Sequence, residues 1–401
     1  MLPFKRPDFR LLQVIVLSLL VSALITGCGG QADRTTVPVE IPVSQVTGHS
    51  AFESAISRFA AQIAHDVAVD STGSISAAVV VGNDVVWEQG FGWADVENRI
   101  PADAHTIYRT GSISKSFTAV LMMQMIERGY FALDDAVEDH FADFQNLIDK
   151  PEGAGKITFR QMASHTAGLI REPRLEGAAS GPISGWEEKI IESIPHTAYQ
   201  SLPGERYSYS NIGFGILGLA TSRIAGESFM DLVTEHIFEP LGMESSFFIV
   251  TPELLPHLSM GYQRSRDGSI SAEMPALEHA GRGYKVPNGG IYSTVGDLAK
   301  FVAAMTGASP EKIFTEETRM EMLKRQTPEG GGGYGLGFSV SIDEDGFITR
   351  GHGGSVAGYN ANMVFDPESQ IGVTILRNYS GGATNLGRAS RALLKELVNS
   401  R

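Results

Sequence analysis

Strand-like segments lie near both ends of the chain, and a long stretch of mostly short helices and loops separates them. The runs "SISAAVVVG" and "VVWEQGFGWAD" flank Asn83-Asp84, which predicts a β-hairpin. Four further strand-like runs follow residue 333: "YGLGFSVSI", "FITRGH", "GYNANMVFD" and "IGVTILRN". Apolar residues at three- and four-residue steps predict helices over 51–69 and around the leucines from Leu386 to Leu397. We therefore predict one discontinuous sheet domain with an inserted, mostly helical domain.

The first residues have the pattern of an export signal. Three basic residues precede the apolar run Leu11–Ile25, which is too short for a comfortable membrane span and typical of a signal peptide. The run ends in "ITGC", which resembles the lipobox of bacterial lipoproteins, whose cysteine is acylated. We therefore predict a lipoprotein signal peptide over 1–27 and lipidation of Cys28. An ordinary signal peptide followed by a chance cysteine is the alternative.

The remaining chain divides into a tether and a globular part. Residues 28–49 contain Gly, Thr, Pro and Val without a periodic pattern, as expected of a tether. Residues 50–401 form a chain long enough for one large domain or two. We place the sheet part at about 50–110 and 286–401 and the helical part at about 111–285. Clefts between two such parts are frequent ligand sites.

Charge and cysteine content limit the possible partners. The formal charge is −14, and because residues 1–27 carry three basic and one acidic residue, the rest of the chain is close to −16. This acidity argues against nucleic acid and against an anionic lipid-binding surface, so membrane attachment would come from acyl chains on Cys28. Cys28 is the only cysteine, which excludes an internal disulfide. No two histidines are four residues apart, and we predict neither a zinc site nor another cofactor.

The strongest chemical signal lies in "YRTGSISKSFTAVLMMQMIERG", residues 108–129. Its apolar second half predicts a buried helix that begins near Ser112, one turn before Lys115. A serine at a helix start is often only a cap. Lys115, however, would lie beside that hydroxyl, near the positive end of the helix dipole and partly desolvated, which favours the neutral amine. A neutral lysine can take a proton from a serine, so the pair predicts a nucleophile and its base.

A second Ser-x-x-Lys pair, Ser309 and Lys312, occurs in "TGASPEKIFTEE". Pro310 would occupy the first helical position, which predicts a capped helix on the surface. Because the spacing alone is a weak motif, the other motifs in the chain must distinguish the two pairs.

The segment "PGERYSYSNIGFG" contains Tyr209, the only tyrosine with an asparagine, Asn211, two positions later. A neighbouring cation lowers the pKa of a phenol, so Tyr209 is a candidate to relay protons to a leaving group. Asn211 offers an acceptor and donors to a substrate amide. A polar turn that caps a helix is the alternative. No βαβ unit surrounds the glycines that follow (Gly213, Gly215 and Gly218), so we assign them to close helix packing and not to dinucleotide binding.

The third motif is "RGHGGSVAGYNANMVFDP", which places His352, Gly353 and Gly354 at the start of a predicted strand pair. The two glycines would let a substrate approach the backbone closely. Histidine is mostly neutral at pH 7 unless a neighbour raises its pKa. A neutral imidazole can still donate a hydrogen bond to a substrate.

Together these motifs resemble those of the serine β-lactamase and penicillin-binding protein superfamily, which pairs Ser-x-x-Lys with Tyr-x-Asn and Lys/His-x-Gly. The likeness is closest to class C β-lactamases, family VIII carboxylesterases and D-amino-acid peptidases, and it covers roughly residues 50–400. "MASHTAGL" at 162–169, "LPGERYSYSN" at 202–211 and "EPLGM" at 239–243 resemble framework segments of the same family. The resemblance implies an α/β (α+β) fold of the β-lactamase/transpeptidase type, with an antiparallel sheet flanked by helices.

The resemblance also implies roles for the reacting groups. Ser112 would be the acylated nucleophile, Lys115 its general base or proton relay, and Tyr209 the group that protonates the leaving group. The backbone N–H groups of Ser112 and Ser355 would form the oxyanion hole, where the loss of one donor typically costs about 3 kcal/mol of barrier. Whether Lys115 or Tyr209 is the acylation base stays open.

Other positions would face the substrate. Asn211 would hold the acyl side chain, and His352, followed by Gly353 and Gly354, would stand where many members have lysine. This "HGG" departs from the family's Lys-Thr-Gly and argues against β-lactamase activity, but not against hydrolase activity. His165 in "SHTAGL" is expected to be a buried framework residue with satisfied hydrogen bonds and not a catalyst.

The sequence therefore predicts a serine hydrolase, esterase-like, that cleaves a small ester, amide or peptidoglycan-derived molecule through an acyl-enzyme on Ser112. The alternatives within this class are a class C-like β-lactamase and a D-alanyl-D-alanine carboxypeptidase or D-aminopeptidase. A penicillin-binding sensor lipoprotein, acylated without turnover, is the alternative of a different class. With a lipid on Cys28, the protein would be anchored in the bacterial cell envelope and face the periplasm.

Overall fold

The computed structural model of the protein describes residues 45–401, except positions 266 and 331. The predicted signal peptide, Cys28 and most of the tether therefore lie outside the described residues. Within the part of the chain that is described, no helix combines the length and the hydropathy that a membrane crossing requires.

A seven-stranded antiparallel sheet forms the frame of the molecule, in the order β3-β2-β1-β11-β10-β9-β8. Its strands come from two separate parts of the chain, which confirms the predicted fold class. The strands are β1 (Ser74–Val81), β2 (Asp84–Asp95), β3 (Ile100–Pro101), β8 (Ser339–Ile342), β9 (Ile348–Val356), β10 (Tyr359–Asp366) and β11 (Ile371–Arg377). Two-residue strands form two small further sheets: β4 (Tyr108–Arg109) with β7 (Tyr292–Ser293), and β5 (Gln263–Arg264) with β6 (Ile270–Ser271).

Most of the helices lie in the sequence between the two groups of strands, whereas the first helix precedes β1 and the last follows β11. The α-helices of the described residues are α1 (Glu53–Asp70), α2 (Ser114–Glu127), α3 (Val137–His140), α4 (Phe159–Ala163), α5 (Trp186–Ser193), α6 (Asn211–Ala225), α7 (Phe229–Val233), α8 (Glu273–Leu277), α9 (Val286–Gly289), α10 (Val295–Met305), α11 (Glu316–Leu323) and α12 (Leu386–Asn399).

Strand β1 shows how both faces of the sheet are covered. All of its residues are buried, and successive side chains point to opposite faces. Ile75 and Val79 pack in the apolar cluster that contains residues of α1 and α12. Ala78 and Val80 belong to the larger cluster that contains α2, α6 and α10. The sheet is therefore a central layer, and α2 is buried beneath it.

Several sequence predictions meet their test in these elements. The hairpin around Asn83-Asp84 is confirmed, because β1 and β2 pair as antiparallel neighbours. The predicted surface helix at Pro310 is wrong: α11 begins later, at Glu316, where the Thr315 hydroxyl accepts the Thr318 N–H. His352 lies in the middle of β9 and not at the start of a strand.

The sheet leaves one edge of β9 open beside the nucleophile motif. Strand β8 pairs with β9 only as far as the Ser339–Gly351 position. From His352 to Val356, β9 therefore pairs only with β10 among the described strands. The turn Gly111–Ile113, which leads into α2, packs against this open part of β9.

Candidate active site

Ser112 lies in a one-turn 3₁₀ helix, Gly111–Ile113, directly before α2. Gly111 has a positive φ of 54°, and a Cβ there would lie 2.8 Å from the Ser355 backbone nitrogen. The turn therefore needs glycine for both its conformation and its closeness to β9. The Ser112 hydroxyl makes no capping hydrogen bond to the helix. Its position is thus not explained by helix capping.

Lys115 points at that hydroxyl from the first turn of α2. Its Nζ lies 3.0 Å from Ser112 Oγ and donates to the Asn288 carbonyl at 2.9 Å. The side chain is fully buried. Burial lowers the pKa of Lys115 well below its ordinary value, and the charge of Arg171 lowers this pKa further. The lone pair of the resulting neutral amine can accept the serine proton.

The glycines of α6 hold Asn288 at this place. A Cβ on Gly218 would lie 2.4 Å from the Pro287 side chain, and one on Gly215 would lie 3.1 Å from the Tyr284 carbonyl. Only a helix with glycine at these positions can pack so closely against residues 284–288. The Asn288 side chain in turn donates to the Asn211 carbonyl at 3.0 Å.

Tyr209 joins the same cluster from the loop before α6. The Ser112 hydroxyl is among the groups that lower the pKa of its phenol, and both residues line the same cleft. Lys115 Nζ and Arg171 Cζ each lie 4.9 Å from the centre of the Tyr209 ring. The predicted direction of its pKa is wrong, because burial raises the pKa of Tyr209 and outweighs the effect of Arg171. At neutral pH Tyr209 is therefore a phenol, which can donate a proton.

The predicted oxyanion-hole residues lie next to each other. A Cβ on Gly354 would lie 1.9 Å from the Thr110 carbonyl oxygen and 3.3 Å from the Ser112 backbone nitrogen. Glycine at 354 thus lets β9 lie directly against the turn that bears Ser112. Ser112, Tyr209, His352, Gly353, Gly354 and Ser355 all line one open cleft of about 580 Å³.

His352 uses both ring nitrogens within the protein. Nδ1 lies 2.6 Å from the Gly353 carbonyl oxygen, and Nε2 lies 2.8 Å from the Tyr334 hydroxyl. A carbonyl only accepts, so Nδ1 must donate and Nε2 accepts from Tyr334. Burial is the largest cause that lowers the pKa of His352 to about 3. In this arrangement both ring nitrogens of His352 are bonded to groups of the protein.

Asn211 is the first residue of α6 and is mostly buried. Its Nδ2 donates to Glu172 Oε1 at 2.6 Å. A carboxylate only accepts, so this bond fixes the orientation of the amide. Glu172 also accepts a hydrogen bond from Tyr284, and its Oε2 lies 3.5 Å from Lys285 Nζ. The Asn211 amide is thus held by the protein, and only its Oδ1 has no partner in the hydrogen bonds of the described residues.

Sequence reasoning missed the residues that surround these groups. Arg171 and Glu172 directly follow the "SHTAGLI" segment, whose likeness to a family framework was the one available signal. Asn288, Lys285 and Tyr334 lie far from every motif in the sequence and reach the site only through packing. In the part of the chain that the structure describes, no group of three or more His, Cys, Asp or Glu side chains could hold a metal ion.

The fold and the Ser-Lys-Tyr cluster are those of a serine hydrolase. A family model described as Beta-lactamase matches residues 59–397. The chain therefore belongs to the beta-lactamase family.

Individual relatives agree with this assignment. PbpX of Bacillus subtilis (strain 168), named as a penicillin-binding protein, is 24% identical over 322 residues, which cover 80% of this chain and 74% of that protein. The chain spans 74%, 55% and 61% of the length of three curated relatives.

Two solved structures share the fold. An octameric penicillin-binding protein homologue from Pyrococcus abyssi superposes with a TM-score of 0.71 at 29% identity, over 86% of this chain and 77% of that one. A beta-lactamase/D-alanine carboxypeptidase from Yersinia pestis, complexed with citrate, gives a TM-score of 0.66 at 24% identity, over 86% of this chain and 98% of that one. The likeness to the Yersinia structure is one of fold alone.

Proposed function

We propose that this protein is an esterase-like serine hydrolase that forms an acyl-enzyme on Ser112. The observation that carries the proposal is the 3.0 Å separation of Lys115 Nζ and Ser112 Oγ, with the lysine fully buried. Burial favours the neutral amine, which is the form that can act as a base.

The reaction follows from the positions of the atoms. Lys115 accepts the Ser112 hydroxyl proton while Oγ bonds to the substrate carbonyl carbon, and the Ser112 and Ser355 N–H groups stabilise the oxyanion. When the tetrahedral intermediate collapses, the bond to the leaving group breaks and Tyr209 gives its proton to that group. The proton on Lys115 then passes to the Tyr209 oxygen, which restores both groups. Water attacks the acyl carbon and gives a proton to Lys115, and when the bond between Ser112 Oγ and the acyl carbon breaks, Lys115 returns this proton to Oγ.

The substrate preference rests on the lack of an available cation at His352. This imidazole is neutral and bonds to Tyr334 and Gly353, so it offers neither charge nor a free donor to the carboxylate of a β-lactam. Arg377 lines the same cleft, but its guanidinium donates to acceptors of the protein: the Tyr379 and Thr384 carbonyls and Asn360 Oδ1. Substrates without a carboxylate need no cationic partner, so their kcat/KM should be reduced least by the neutral imidazole.

Among the described residues that line the cleft, Arg171 is the remaining cation, and its position limits its effect on an anion. Its side chain is 64% exposed, and its Nε lies 3.7 Å from Glu172 Oε1. Solvent and the neighbouring carboxylate both weaken its attraction for an anionic substrate. This favours short-chain esters, and next D-amino-acid amides, over penicillins and cephalosporins.

A turnover panel tests the proposal on the globular domain. We expect kcat/KM at pH 7.5 to be larger for a p-nitrophenyl butyrate-type ester than for a cephalosporin or a D-amino-acid amide. His352→Lys should move this ratio toward the cephalosporin, with thermal unfolding as the check on folding. A larger kcat/KM for the cephalosporin in the wild type would favour the β-lactamase alternative. A stable mass adduct on Ser112 without product would favour the sensor.

We also propose that the protein is anchored through lipid on Cys28 and faces the periplasm. The support is "LITGCGG" after three basic residues. Membrane fractions of cells that express the full chain test this: Cys28→Ser should leave the fraction that contains the wild type. Recovery of both proteins in the same membrane fraction would contradict the anchor.

A further inference from the structure

His165 holds the backbone on both sides of Tyr209. The Ser208 N–H donates to the His165 carbonyl at 2.7 Å, and the Ser210 N–H donates to His165 Nδ1 at 3.1 Å. Tyr209 itself lies in no helix or strand, and it directly precedes Ser210, whose hydroxyl caps α6 by accepting the Gly213 N–H. One residue thus supplies the acceptors for the two amides that flank Tyr209.

The imidazole of His165 also packs on the Tyr209 ring. The two ring centres are 4.2 Å apart, and the planes are inclined by 35°. The imidazole also contacts Phe214 and Tyr334, each at 4.8 Å between ring centres. Tyr334 is the residue that donates to His352. His165 therefore contacts both Tyr209 and the hydrogen-bond partner of His352.

Packing alone does not explain a histidine at this position. Because Nδ1 accepts a backbone N–H, Nε2 carries the proton, and this buried atom has no hydrogen-bond partner among the described residues. A buried donor without an acceptor is unfavourable, and a leucine or phenylalanine would avoid it. The backbone of His165 has a φ of +59°, in the left-handed region where Asn, Asp and His are the most frequent residues after Gly. The buried Nε2 without a partner is thus an unfavourable feature that accompanies the one useful atom, Nδ1.

The charge state of His165 agrees with a role as an acceptor. The side chain is 1% exposed, and burial lowers its pKa well below the ordinary value. The neutral ring keeps the Nδ1 lone pair that the Ser210 N–H requires. An imidazolium would have no acceptor for this bond.

We propose that His165 is a positioning residue that directs the Tyr209 phenol at Ser112 by accepting the N–H groups of Ser208 and Ser210. The inference rests on the proposed function, because it assigns His165 to the proton transfer that Tyr209 performs there. Loss of the Nδ1 acceptor frees the Ser210 amide and allows the phenol to turn away from Ser112. A displacement of about 1 Å can lower a rate by roughly 100-fold.

Two substitutions distinguish the role of the Nδ1 acceptor from that of the aromatic ring. His165→Asn loses the ring but places an amide oxygen close to the position of Nδ1, and asparagine tolerates the left-handed backbone. His165→Leu loses both the ring and the acceptor. We expect kcat for ester hydrolysis to fall by about 30-fold or more in His165→Leu and by about 3-fold or less in His165→Asn, with KM nearly unchanged in both.

A double-mutant cycle shows whether the effect acts through Tyr209. In a Tyr209→Phe background there is no phenol to aim, so adding His165→Leu should lower kcat by less than about 2-fold. A purely structural role would lower kcat equally in both backgrounds. Equal losses, or equal kcat values for His165→Leu and His165→Asn, would overturn the proposal.

Two further measurements keep the result decisive. If His165→Leu does not fold, His165→Gln replaces it, because the glutamine side-chain oxygen lies one methylene farther from the backbone than Nδ1 and cannot take its place. An unchanged kcat in folded His165→Gln would also overturn the proposal. Labelling of wild-type Ser112 by a fluorophosphonate probe is measured first. A wild type that is neither labelled nor active would refute the proposed function, whereas an active wild type with unaffected variants would refute only the role of His165.

Discussion

The chain contains two Ser-x-x-Lys pairs, which differ in the burial of the lysine and in its distance from the serine hydroxyl. Lys115 is fully buried, with Nζ 3.0 Å from Ser112 Oγ. Lys312 is exposed, and its Nζ donates to the Gly307 carbonyl at 3.0 Å and the Ser309 carbonyl at 2.7 Å. The Ser309 hydroxyl accepts the Glu311 N–H instead of approaching the lysine. Equal spacing has thus produced an active-site pair and a surface turn.

The difference shows that the environment and not the spacing makes the lysine a base. Water solvates an ammonium at Lys312, while the interior around Lys115 disfavours the charge and directs the amine at the hydroxyl. The start of a helix also distinguishes the two pairs. Helix α2 begins at Ser114 and places Lys115 one turn after Ser112, whereas α11 begins only at Glu316, after Lys312. Four experiments test this difference between the two pairs.

The largest effect should come from the two serines. Ser112→Ala should lower turnover by a factor of about 10⁴ or more and abolish fluorophosphonate labelling, because the nucleophile is lost. The unfolding free energy should change by only about 1 kcal/mol, since the hydroxyl caps no helix. Ser309→Ala is the matched control and should keep both activity and labelling. Labelling that disappears in Ser309→Ala but survives in Ser112→Ala would show that the wrong serine was assigned.

The two lysines should differ next. Lys115→Met should reduce kcat by about 10²- to 10⁴-fold, the range expected for loss of a general base. Lys312→Met removes the same charge from the surface and should leave kcat within about 2-fold of the wild type. Steady-state kinetics with a chromogenic ester measures both. Equal rates for the two variants would mean that Lys115 takes no part in proton transfer.

Stability as a function of pH tests the charge state directly. The pKa of Lys115 is lowered on folding, so the unfolded chain holds one more proton between the folded pKa and about 10.4. Wild-type stability should therefore rise with pH in this window, relative to Lys115→Met, by about 1.4 kcal/mol per pH unit. Urea unfolding at about pH 8 and 9 measures this, and Lys312→Met should follow the wild type. Parallel curves for wild type and Lys115→Met would show a charged Lys115 in the folded protein.

The smallest effect should follow from making the surroundings of Lys115 less cationic. Arg171 is the first charge that lowers the Lys115 pKa, so Arg171→Gln should raise this pKa and move the acidic limb of the kcat/KM profile to higher pH. The rate on that limb should fall by about 2- to 5-fold and recover at high pH. Arg171→Lys keeps the charge and should retain the wild-type limb. Because Arg171 is exposed, about 1 M salt should shrink the difference, and a shift in the opposite direction would contradict the charge effect.

Much of the fold could be predicted from local patterns. The hairpin at Asn83-Asp84, the late strands and the leucine stripe of α12 depend on periodicity and turn residues, which act between neighbours in the chain. The segment at Pro310 failed because a proline permits the start of a helix without providing the apolar face that stabilises one. Thr315 and the residues after it provided that start instead.

The candidate site was predictable only in part. Ser112, Lys115, Tyr209, Asn211, His352 and the glycines lie in recognisable motifs, and the structure brings all of them into or beside one cluster. The pKa of Tyr209 was predicted in the wrong direction, because the sequence indicated a nearby cation but not how deeply the phenol is buried. The same limit applies to His352, whose partner Tyr334 is 18 positions away in the sequence.

The local motifs therefore establish which groups are present and which short segments carry them: a serine and a lysine on one helical turn, a Tyr-x-Asn loop and a histidine followed by two glycines. What these groups can do depends on the tertiary structure. Burial selects the neutral form of Lys115, the Tyr334 hydroxyl and the Gly353 carbonyl occupy His352, and Glu172 orients Asn211. Desolvation and hydrogen-bond partners depend on atoms brought together from distant parts of the chain, which is why Ser112 and Ser309 share a motif and not a function.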